Sequence, residues 1–241
     1  MGHGKSTLVN LLNSILHPTS GTVEIDNADT TIEEYMLEIR KRVGVVFQNA
    51  ENQIISSSVY EDVSFGPQNL KIEEEKIESI VDIALKQVDL FEYKNGETNN
   101  LSGGEKQKLA IAGILAMNPK YIIFDEAVSM LDKKSSKQIM EIIEKLNKEN
   151  KITIIQITQK MEDVVSRDRV IVLNKGKIVV DDTPLEIFKN GLVLKQLGLE
   201  APIGIKLINE LRKDGIDIPE DVLTTNECVD VLEELIKSKV S

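Results

Sequence analysis

The stretch that decides the fold is LSGGEKQKLAIAGILAMNPKYIIFDEAVSMLD, which runs from Leu101 to Asp132. Ser102, Gly103 and Gly104 open a predicted helix, in which the apolar residues that follow recur at mostly helical spacing. A helix that starts with two glycines presents free backbone N–H groups and the positive end of its dipole. The pattern therefore predicts a helix N-terminus suited to an anionic oxygen such as that of a phosphate.

Two carboxylates follow a short apolar run in the same stretch. The run Tyr121 to Phe124 predicts a buried strand that leads directly into Asp125 and Glu126. In an α/β fold, a carboxylate at the carboxyl end of a buried parallel strand is placed to bind a metal ion or to activate water.

The order LSGGE, YIIFDE and SMLD resembles the signature motif, Walker B motif and D-loop of ABC-type ATPases. Each motif alone has an ordinary reading, as a loop or a solvated turn. Together they imply ATP and Mg²⁺ as ligands, with Asp125 on the metal and Glu126 polarising the attacking water. The resemblance also implies a nucleotide-contacting set made of Ser102, Gly103, Gly104 and Asp132.

The beginning of the chain resembles the second half of a P-loop. In such a loop the lysine, here Lys5, reaches the phosphates, and the next hydroxyl, here that of Ser6, binds Mg²⁺. The predicted phosphate-contacting residues are Gly2, Gly4, Lys5, Ser6 and Thr7. A predicted helix follows, with the apolar residues Leu8, Leu11, Leu12, Ile15 and Leu16.

The full P-loop pattern needs a glycine five positions before Gly4, so the motif and the strand that feeds it are incomplete here. Two explanations stand side by side. Met1 is an internal methionine of a longer protein, which is the explanation that we favour because the rest of the sequence is coherent. Alternatively, the chain is a remnant with poor nucleotide affinity.

Two glutamines complete the predicted catalytic set. The buried strand Val43 to Phe47 delivers Gln48, and VFQNAENQI resembles the Q-loop, whose glutamine reaches Mg²⁺ and the attacking water. The strand Ile152 to Thr158 delivers Gln159, where ABC ATPases usually carry a histidine that contacts the γ-phosphate. Glutamine donates an amide hydrogen bond but carries no charge and relays no proton, so hydrolysis at this chain's own site is in doubt.

The predicted fold class is α/β, the P-loop ABC ATPase fold with a mostly parallel sheet and without its N-terminal strands. Residues 1–199 form the predicted ATP-binding domain, with a helical subdomain at about 59–118 that includes a helix from Glu73 to Val88. In ABC proteins this subdomain receives a helix of the membrane subunit. Residues 200–241 form a predicted appendage of two helices, either a cap on the core or a dimerisation surface. The second of these helices has an expected packed face made of Cys228, Val231, Leu232, Leu235 and Ile236.

Bulk composition narrows the class of partner. The 241 residues carry a formal net charge of −11, which argues against a broad basic face for nucleic acid. The single cysteine excludes an internal disulfide and fits a reducing compartment. No apolar run approaches the length of a membrane span, so any membrane contact is expected to come through partner chains.

The combination of motifs resembles one branch of the family in particular, the ATPase A subunits of energy-coupling factor transporters, and among them the first of two A paralogues. This resemblance covers nearly the whole chain, including the tail that begins GLEAPIGIKLINELRKDG. It implies a heterodimer with a second A-type ATPase, a transmembrane T subunit, and exchangeable S components that bind vitamins or transition-metal ions. It also implies a peripheral position on the cytoplasmic face of the cell membrane.

Two other hypotheses remain beside this one. The first is a non-hydrolysing subunit that supports a catalytic partner, which the incomplete P-loop and Gln159 favour. The second is a soluble ABC protein that acts on DNA or ribosomes, which the acidic composition and the lack of a tandem second domain disfavour.

Overall fold

The computed structural model describes residues 4–189, 194, 198–219 and 221–240. The predicted phosphate-contacting Gly2 therefore lies outside the described residues. The chain divides into two compact units, each of which is described by itself. One unit is Ser6–Ile157, and the other contains Gly4 and Lys5 together with the described residues from Thr158 onward.

The first unit alternates helices and strands as the sequence predicts. Its elements in chain order, with Lys5 of the other unit at the start of α1, are α1 (Lys5–Leu12), β1 (Glu24–Ile25), β2 (Ala28–Asp29), α2 (Glu33–Arg42), β3 (Val43–Val46), α3 (Val59–Asn69), α4 (Glu74–Gln87), α5 (Gly103–Leu115), β4 (Tyr121–Asp125), α6 (Lys133–Lys148) and β5 (Thr153–Ile157).

The strands β3, β4 and β5 form a parallel sheet in that order. Val43 pairs with Tyr121 and Val46 with Phe124, while Asp125 pairs with Ile157. All four residues of β3 are buried, as are the three central residues of β4. Strands buried on both faces and rich in valine and isoleucine are typical of parallel sheets, which confirms the predicted α/β class.

A large apolar core lies between the sheet and the helices α3, α4, α5 and α6. The helix α4 contributes the face that its periodicity predicts, with Ile77, Val81 and Leu85 buried. Gly44 of β3 lies so close to α5 that a β-carbon at this position would collide with Ile114. The sheet therefore packs tightly against the helix that the signature motif opens.

The predicted helix α1 is present, but its apolar side chains are buried only in part. Val9 is the buried residue and packs with Val43, Val45 and Ile123. Leu8, Ile15 and Leu16 are exposed. The reason is that the helix ends at Leu12, and Ser14 adopts a left-handed conformation with φ of 57°. The N–H groups of Ile15 and Leu16 then donate to the Asn10 carbonyl, so these two side chains leave the helical repeat.

The second unit contains helices and a hairpin, which the sequence predicts from Val170 to Val180 around the Lys175–Gly176 turn. Its elements are β6 (Val170–Asn174), β7 (Lys177–Asp182), α7 (Pro184–Lys189), α8 (Ile203–Lys213) and α9 (Thr225–Val240). The strands β6 and β7 pair antiparallel through the Lys175–Gly176 turn, in which both residues have positive φ. The sequence TPLEIFKN, from Thr183 to Asn190, predicts a capped helix with Pro184 at its first position. The Thr183 hydroxyl accepts the Glu186 N–H at 3.4 Å, which confirms the predicted cap of α7. Asn190, the predicted end of α7, lies outside the described residues.

The helices α8 and α9 pack against each other at a glycine. A β-carbon on Gly204 would lie 2.8 Å from the sulfur of Cys228, so the two helices approach closely at this point. Cys228 is buried as predicted, and burial raises the pKa of its thiol. Ile236, expected on the same face, is instead 63% exposed. At 3.6 residues per turn it lies about 80° around the helix from Cys228, whereas Leu235 lies about 20° away.

None of the helices in the described ranges combines the length and the apolar character that crossing a bilayer requires.

Candidate functional site

The carboxyl edge of the parallel sheet collects three of the predicted site residues. Gln48 lies two residues past the end of β3, Asp125 is the last residue of β4, and Glu126 follows it. Because Val46 pairs with Phe124, Gln48 and Glu126 each follow their paired residue by two positions. The parallel register therefore brings these side chains to the same edge of the sheet.

A chain of hydrogen bonds joins two of them through a third residue. The Gln48 side-chain amide donates to the Ser129 hydroxyl at 3.0 Å, and this hydroxyl donates to the Glu126 carbonyl at 2.7 Å. The Ser129 N–H also donates to that carbonyl, at 3.0 Å. Ser129 belongs to the SMLD motif, but its contact with Gln48 is not predicted from the sequence, because a contact across 81 positions leaves no periodic signal.

The backbone at Glu126 redirects the chain at the end of the strand. Its N–H donates to the Ile157 carbonyl at 3.0 Å, which extends the β4–β5 ladder by one bond. Its φ is 51°, in the left-handed region that residues other than glycine rarely adopt. Such backbone outliers cluster at functional sites, where the surrounding structure holds them.

The signature motif forms a capping box at the start of α5. Ser102 is the N-cap; its N–H and its hydroxyl both donate to the Glu105 carboxylate, at 2.8 and 2.6 Å. These two hydrogen bonds hold the pKa of Glu105 below its usual value, and the Tyr93 hydroxyl beside the carboxylate adds to the effect. The sequence prediction that Ser102 opens this helix is confirmed.

The two glycines of the motif have different surroundings. A β-carbon on Gly104 would lie 2.5 Å from the hydroxyl oxygen and 2.8 Å from the β-carbon of Ser135. A β-carbon on Gly103 would meet nothing within 4 Å. Gly104 is therefore required by the packing of α5 against α6, whereas Gly103 faces open space where a ligand has room.

The D-loop aspartate is the N-cap of α6. The Asp132 carboxylate accepts the N–H groups of Lys134 and Ser135 at 2.9 and 3.0 Å, and the Ser135 hydroxyl at 2.6 Å. The hydroxyl and N–H of Ser135 hold the pKa of Asp132 below its usual value. A structural role thus exists for Asp132 independently of any nucleotide.

The loop that carries Gln48 is fastened to the signature helix. Gln107 of α5, which is 1% exposed, donates its side-chain amide to the Phe47 carbonyl at 3.1 Å. Lys106 pairs with Glu51 at 2.5 Å. Sequence reasoning missed Gln107, although a signal was present: it is a polar residue at helical spacing from Ile111 and Ile114 on the apolar face of α5.

The start of α1 has the features of a phosphate-facing N-terminus. Gly4 has φ of 91°, a conformation that favours glycine, and α1 begins at the next residue. Ser6 and Thr7 lie in the first turn with exposed side chains. The first backbone N–H groups of a helix have no partner within it, so they are available to an anion.

Gln159 lies in the loop after β5, with an exposed side chain. The Thr158 hydroxyl shapes this loop: it donates to the Asp163 carboxylate at 2.7 Å and accepts the Lys160 N–H at 3.0 Å.

The donor set fits a magnesium ion that shares its coordination with phosphate and water. Within the described part of the chain, no cluster of three His, Cys, Asp or Glu side chains could hold a metal by itself. Mg²⁺ usually takes only one or two carboxylates from the protein and fills the remaining positions with waters and substrate phosphates. The Asp125 carboxylate, the Gln48 amide oxygen and the Ser6 hydroxyl are oxygen ligands of the type that Mg²⁺ accepts.

Comparison with known proteins gives a matching family model and similar sequences, and these point to the same family. The family model described as ABC transporter matches residues 1–129. The energy-coupling factor transporter ATP-binding protein EcfA1 of Caldanaerobacter subterraneus is 49% identical over 96% of this chain and 83% of that protein. The protein of the same name from Clostridioides difficile is 49% identical over 95% of this chain and 82% of that protein.

Solved structures agree in fold. CbiO1 from Clostridium perfringens, described as part of the ABC transporter complex cbiONQ, has a TM-score of 0.73 and 38% identity over 86% of this chain and 84% of that one. A dimeric ATP-binding cassette in a post-hydrolysis state, bound to ADP and Pi, has a TM-score of 0.66 and 32% identity over 76% of this chain and 81% of that one.

Proposed function

The chain belongs to the ABC transporter family, among the energy-coupling factor transporter ATP-binding proteins, and from that membership we propose that it hydrolyses ATP to energise uptake through a membrane complex. The family and branch that the motifs predict are thereby confirmed. The observation that carries the proposal is the bonded group at the carboxyl edge of the sheet, where Gln48 and Glu126 are joined through Ser129 beside Asp125.

The roles of the chain's own residues follow from their chemistry. Lys5 and the first N–H groups of α1 bind the phosphates. Ser6, Gln48 and Asp125 would hold Mg²⁺, and Glu126 orients the attacking water. The chemistry that a bound Mg²⁺ would supply is neutralisation of charge on the phosphate oxygens.

The signature motif serves a nucleotide held by a second ATPase subunit. Gly103 leaves room for a ligand at the N-terminus of α5, and the dipole of that helix favours an anionic group there. Ser102 and Gly104 complete this surface, with Asp132 beside it at the start of α6. A dimer that places each chain's signature motif over the partner's nucleotide closes when both nucleotides are bound and opens after release.

Gln159 slows ATP hydrolysis at this chain's site but does not abolish it. Its amide donates a hydrogen bond to a phosphate oxygen, without the charge that a histidine would add. We therefore expect slower hydrolysis at the nucleotide of this chain than at a site with a histidine.

The partners proposed are a second A-type ATPase, a transmembrane T subunit and S components that bind vitamins or transition-metal ions. The appendage supports the first of these, because α8 and α9 expose large apolar side chains. Ile203 is 78% exposed, and Leu207, Val229 and Ile236 are exposed as well. Apolar side chains grouped on two packed helices are typical of a subunit interface. We propose that contact with the membrane comes through these partners and that the chain lies at the cytoplasmic face.

A second candidate function is that of a non-hydrolysing subunit that supports a catalytic partner. The specific observation in its favour is Gln159 in the loop after β5. Glu126, which stands where the water-polarising residue is expected, argues for the hydrolysing function.

The experiment that tests the proposed function is isolation of the tagged full chain from its native membranes, followed by identification of the accompanying chains and an ATPase assay. We expect a second ATPase, at least one membrane-spanning chain and magnesium-dependent hydrolysis. A chain that comes out alone, without membrane proteins and without hydrolysis, would contradict the proposal.

A further inference from the structure

Ser129 is the residue through which the loop after β3 contacts the loop after β4. The Ser129 side chain is exposed in the turn between β4 and α6. Its hydroxyl lies 3.0 Å from the Gln48 amide nitrogen and 2.7 Å from the Glu126 carbonyl oxygen. Both of these residues belong to the proposed hydrolytic site, whereas Ser129 has no part in the ligand set proposed above.

The chemistry of the three groups fixes the direction of each hydrogen bond. A carbonyl only accepts, so the single proton of the Ser129 hydroxyl goes to Glu126. The hydroxyl oxygen then accepts from Gln48, which turns the amide nitrogen of that side chain toward Ser129 and its amide oxygen away. One serine thus sets which end of the Gln48 amide faces the loop that carries Glu126.

The backbone before Gln48 is already held, so its side chain is the part left to be oriented. The Phe47 N–H donates to the Gln53 side-chain oxygen at 3.2 Å, and the Phe47 carbonyl accepts from Gln107 at 3.1 Å. Gln53 in turn donates to the Val45 carbonyl at 3.1 Å. A flexible side chain on a fixed backbone is oriented by whichever partner it meets, and that partner is Ser129.

We propose that Ser129 is a positioning residue for ATP hydrolysis, whose hydroxyl holds the Gln48 amide and the Glu126 carbonyl in a fixed relative arrangement. This inference rests on the proposed function, because it assigns Ser129 to the same site. Ser129 acts through Gln48 and Glu126 and touches no reacting atom itself.

The kinetic test uses the assembled complex with substitutions in this chain alone. Ser129→Ala removes the hydroxyl that accepts from Gln48. A typical net hydrogen-bond energy then predicts a fall in kcat of about 2- to 10-fold, with KM for ATP nearly unchanged. Ser129→Thr keeps the hydroxyl, so it should retain most of the parental rate. In a double-mutant cycle, Ser129→Ala should add little to the defect of Gln48→Ala, because the two residues act as a pair.

Ser136→Ala is the matched control. The Ser136 hydroxyl also donates to backbone carbonyls of the loop after β4, at 3.2 Å to Val128 and 3.4 Å to Leu131, but it does not contact Gln48. Its effect on the rate should therefore add to that of Gln48→Ala. Equal coupling of Gln48→Ala to Ser129→Ala and to Ser136→Ala would overturn the assignment.

A second readout needs no hydrolysis and separates this inference from the proposed function. In NMR spectra of the full chain without nucleotide, the Gln48 side-chain amide is identified by its loss in Gln48→Ala. We expect this signal to shift in Ser129→Ala and to stay close to its parental position in Ser129→Thr and Ser136→Ala. A complex without ATPase activity would count against the proposed function only, whereas an unmoved Gln48 signal in Ser129→Ala would overturn the role of Ser129.

Discussion

At the scale of single residues, Asp62 shows how a buried carboxylate holds the segment between Gln48 and α3. One of its carboxylate oxygens accepts the N–H groups of Ile55 and Ser56, at 2.7 and 3.1 Å. Burial raises the pKa of Asp62 above the ordinary value of 3.8, and the two N–H groups oppose this effect. The ionised form of Asp62 is therefore less favourable, relative to its protonated form, in the folded chain than in the unfolded chain.

This raised pKa predicts that the difference in unfolding free energy between the parent and Asp62→Asn depends on pH. A carboxyl group whose folded pKa is raised contributes stability below its unfolded pKa, and this contribution is lost as pH rises through the folded pKa. Asparagine keeps one acceptor oxygen and does not titrate. We expect the stability of Asp62→Asn relative to the parent to rise over that pH range, measured by urea unfolding at successive pH values.

Asp62→Ala is the control for the hydrogen bonds. It leaves the N–H groups of Ile55 and Ser56 without their acceptor, which should cost about 2–4 kcal/mol relative to Asp62→Asn at every pH. Identical pH profiles for the parent and Asp62→Asn would contradict the assignment of the raised pKa to burial.

The sequence predicts the residue types of the site better than their contacts. Gln48, Asp125 and Glu126 are recognisable because each follows an apolar strand and matches a motif. The contact of Gln48 with Ser129 is not predictable, because it depends on the register of β3 against β4 and on the left-handed conformation of Glu126.

At the scale of elements, the start of α5 rests against the start of α6. Asp132 caps α6 and also binds the Ser135 hydroxyl, whose oxygen lies 2.5 Å from the position that a β-carbon on Gly104 would take. The signature motif and the D-loop therefore pack directly against each other, and the second glycine of the motif has a structural role in this packing.

We predict opposite effects for two neighbouring glycine substitutions. Gly104→Ala places a methyl group against Ser135 and should destabilise the chain by about 1–3 kcal/mol, as overpacking does. Gly103→Ala meets open space, and alanine favours a helix over glycine by up to about 1 kcal/mol, so this variant should be at least as stable as the parent.

Urea unfolding of the two variants measures this difference. Ser135→Gly in the Gly104→Ala background should restore part of the loss, because it removes the β-carbon that collides. Equal stability of Gly103→Ala and Gly104→Ala would contradict the packing of α5 against α6 described above.

Elements with strong periodicity are the ones that the sequence predicts well. The helix α4 and the strand β3 lie within one residue of their predicted bounds, because an apolar repeat continues throughout each. The end of α1 is predicted poorly, because apolar Ile15 and Leu16 continue the repeat after Ser14 has already turned the chain.

At the scale of the whole molecule, the strongly acidic charge and the exposed apolar side chains point to protein partners. The formal net charge is −11, which is unfavourable for binding the phosphate backbone of nucleic acid. The exposed apolar residues of α8 and α9 are the surface that we assign to a second ATPase. The predicted domain boundary near Leu199 stays a prediction.

Charge placed on the appendage should weaken subunit association without unfolding the chain. Ile203→Glu and Ile236→Lys introduce charge at side chains that are 78% and 63% exposed, so their cost to folding should be small. An apolar anchor in an interface is typically worth about 1–2 kcal/mol or more, so each variant should retain about one fifth of the partner or less.

The measurement is the ratio of the second ATPase to this chain after isolation from membranes. Glu210→Lys on the same helix is the control, since the Glu210–Lys213 pair is exposed and contributes little. Unchanged ratios for Ile203→Glu and Ile236→Lys would show that this face does not hold the partner.

The measurement that tests the central claim most directly is the steady-state ATPase rate of the assembled complex with Glu126→Gln in this chain alone. Glu141→Gln, an exposed change on α6, is the matched control. If this chain's site hydrolyses ATP, we expect the rate to fall clearly below that of the control variant, because glutamine cannot accept a proton from the attacking water. An unchanged rate in Glu126→Gln would contradict the claim and favour the non-hydrolysing subunit.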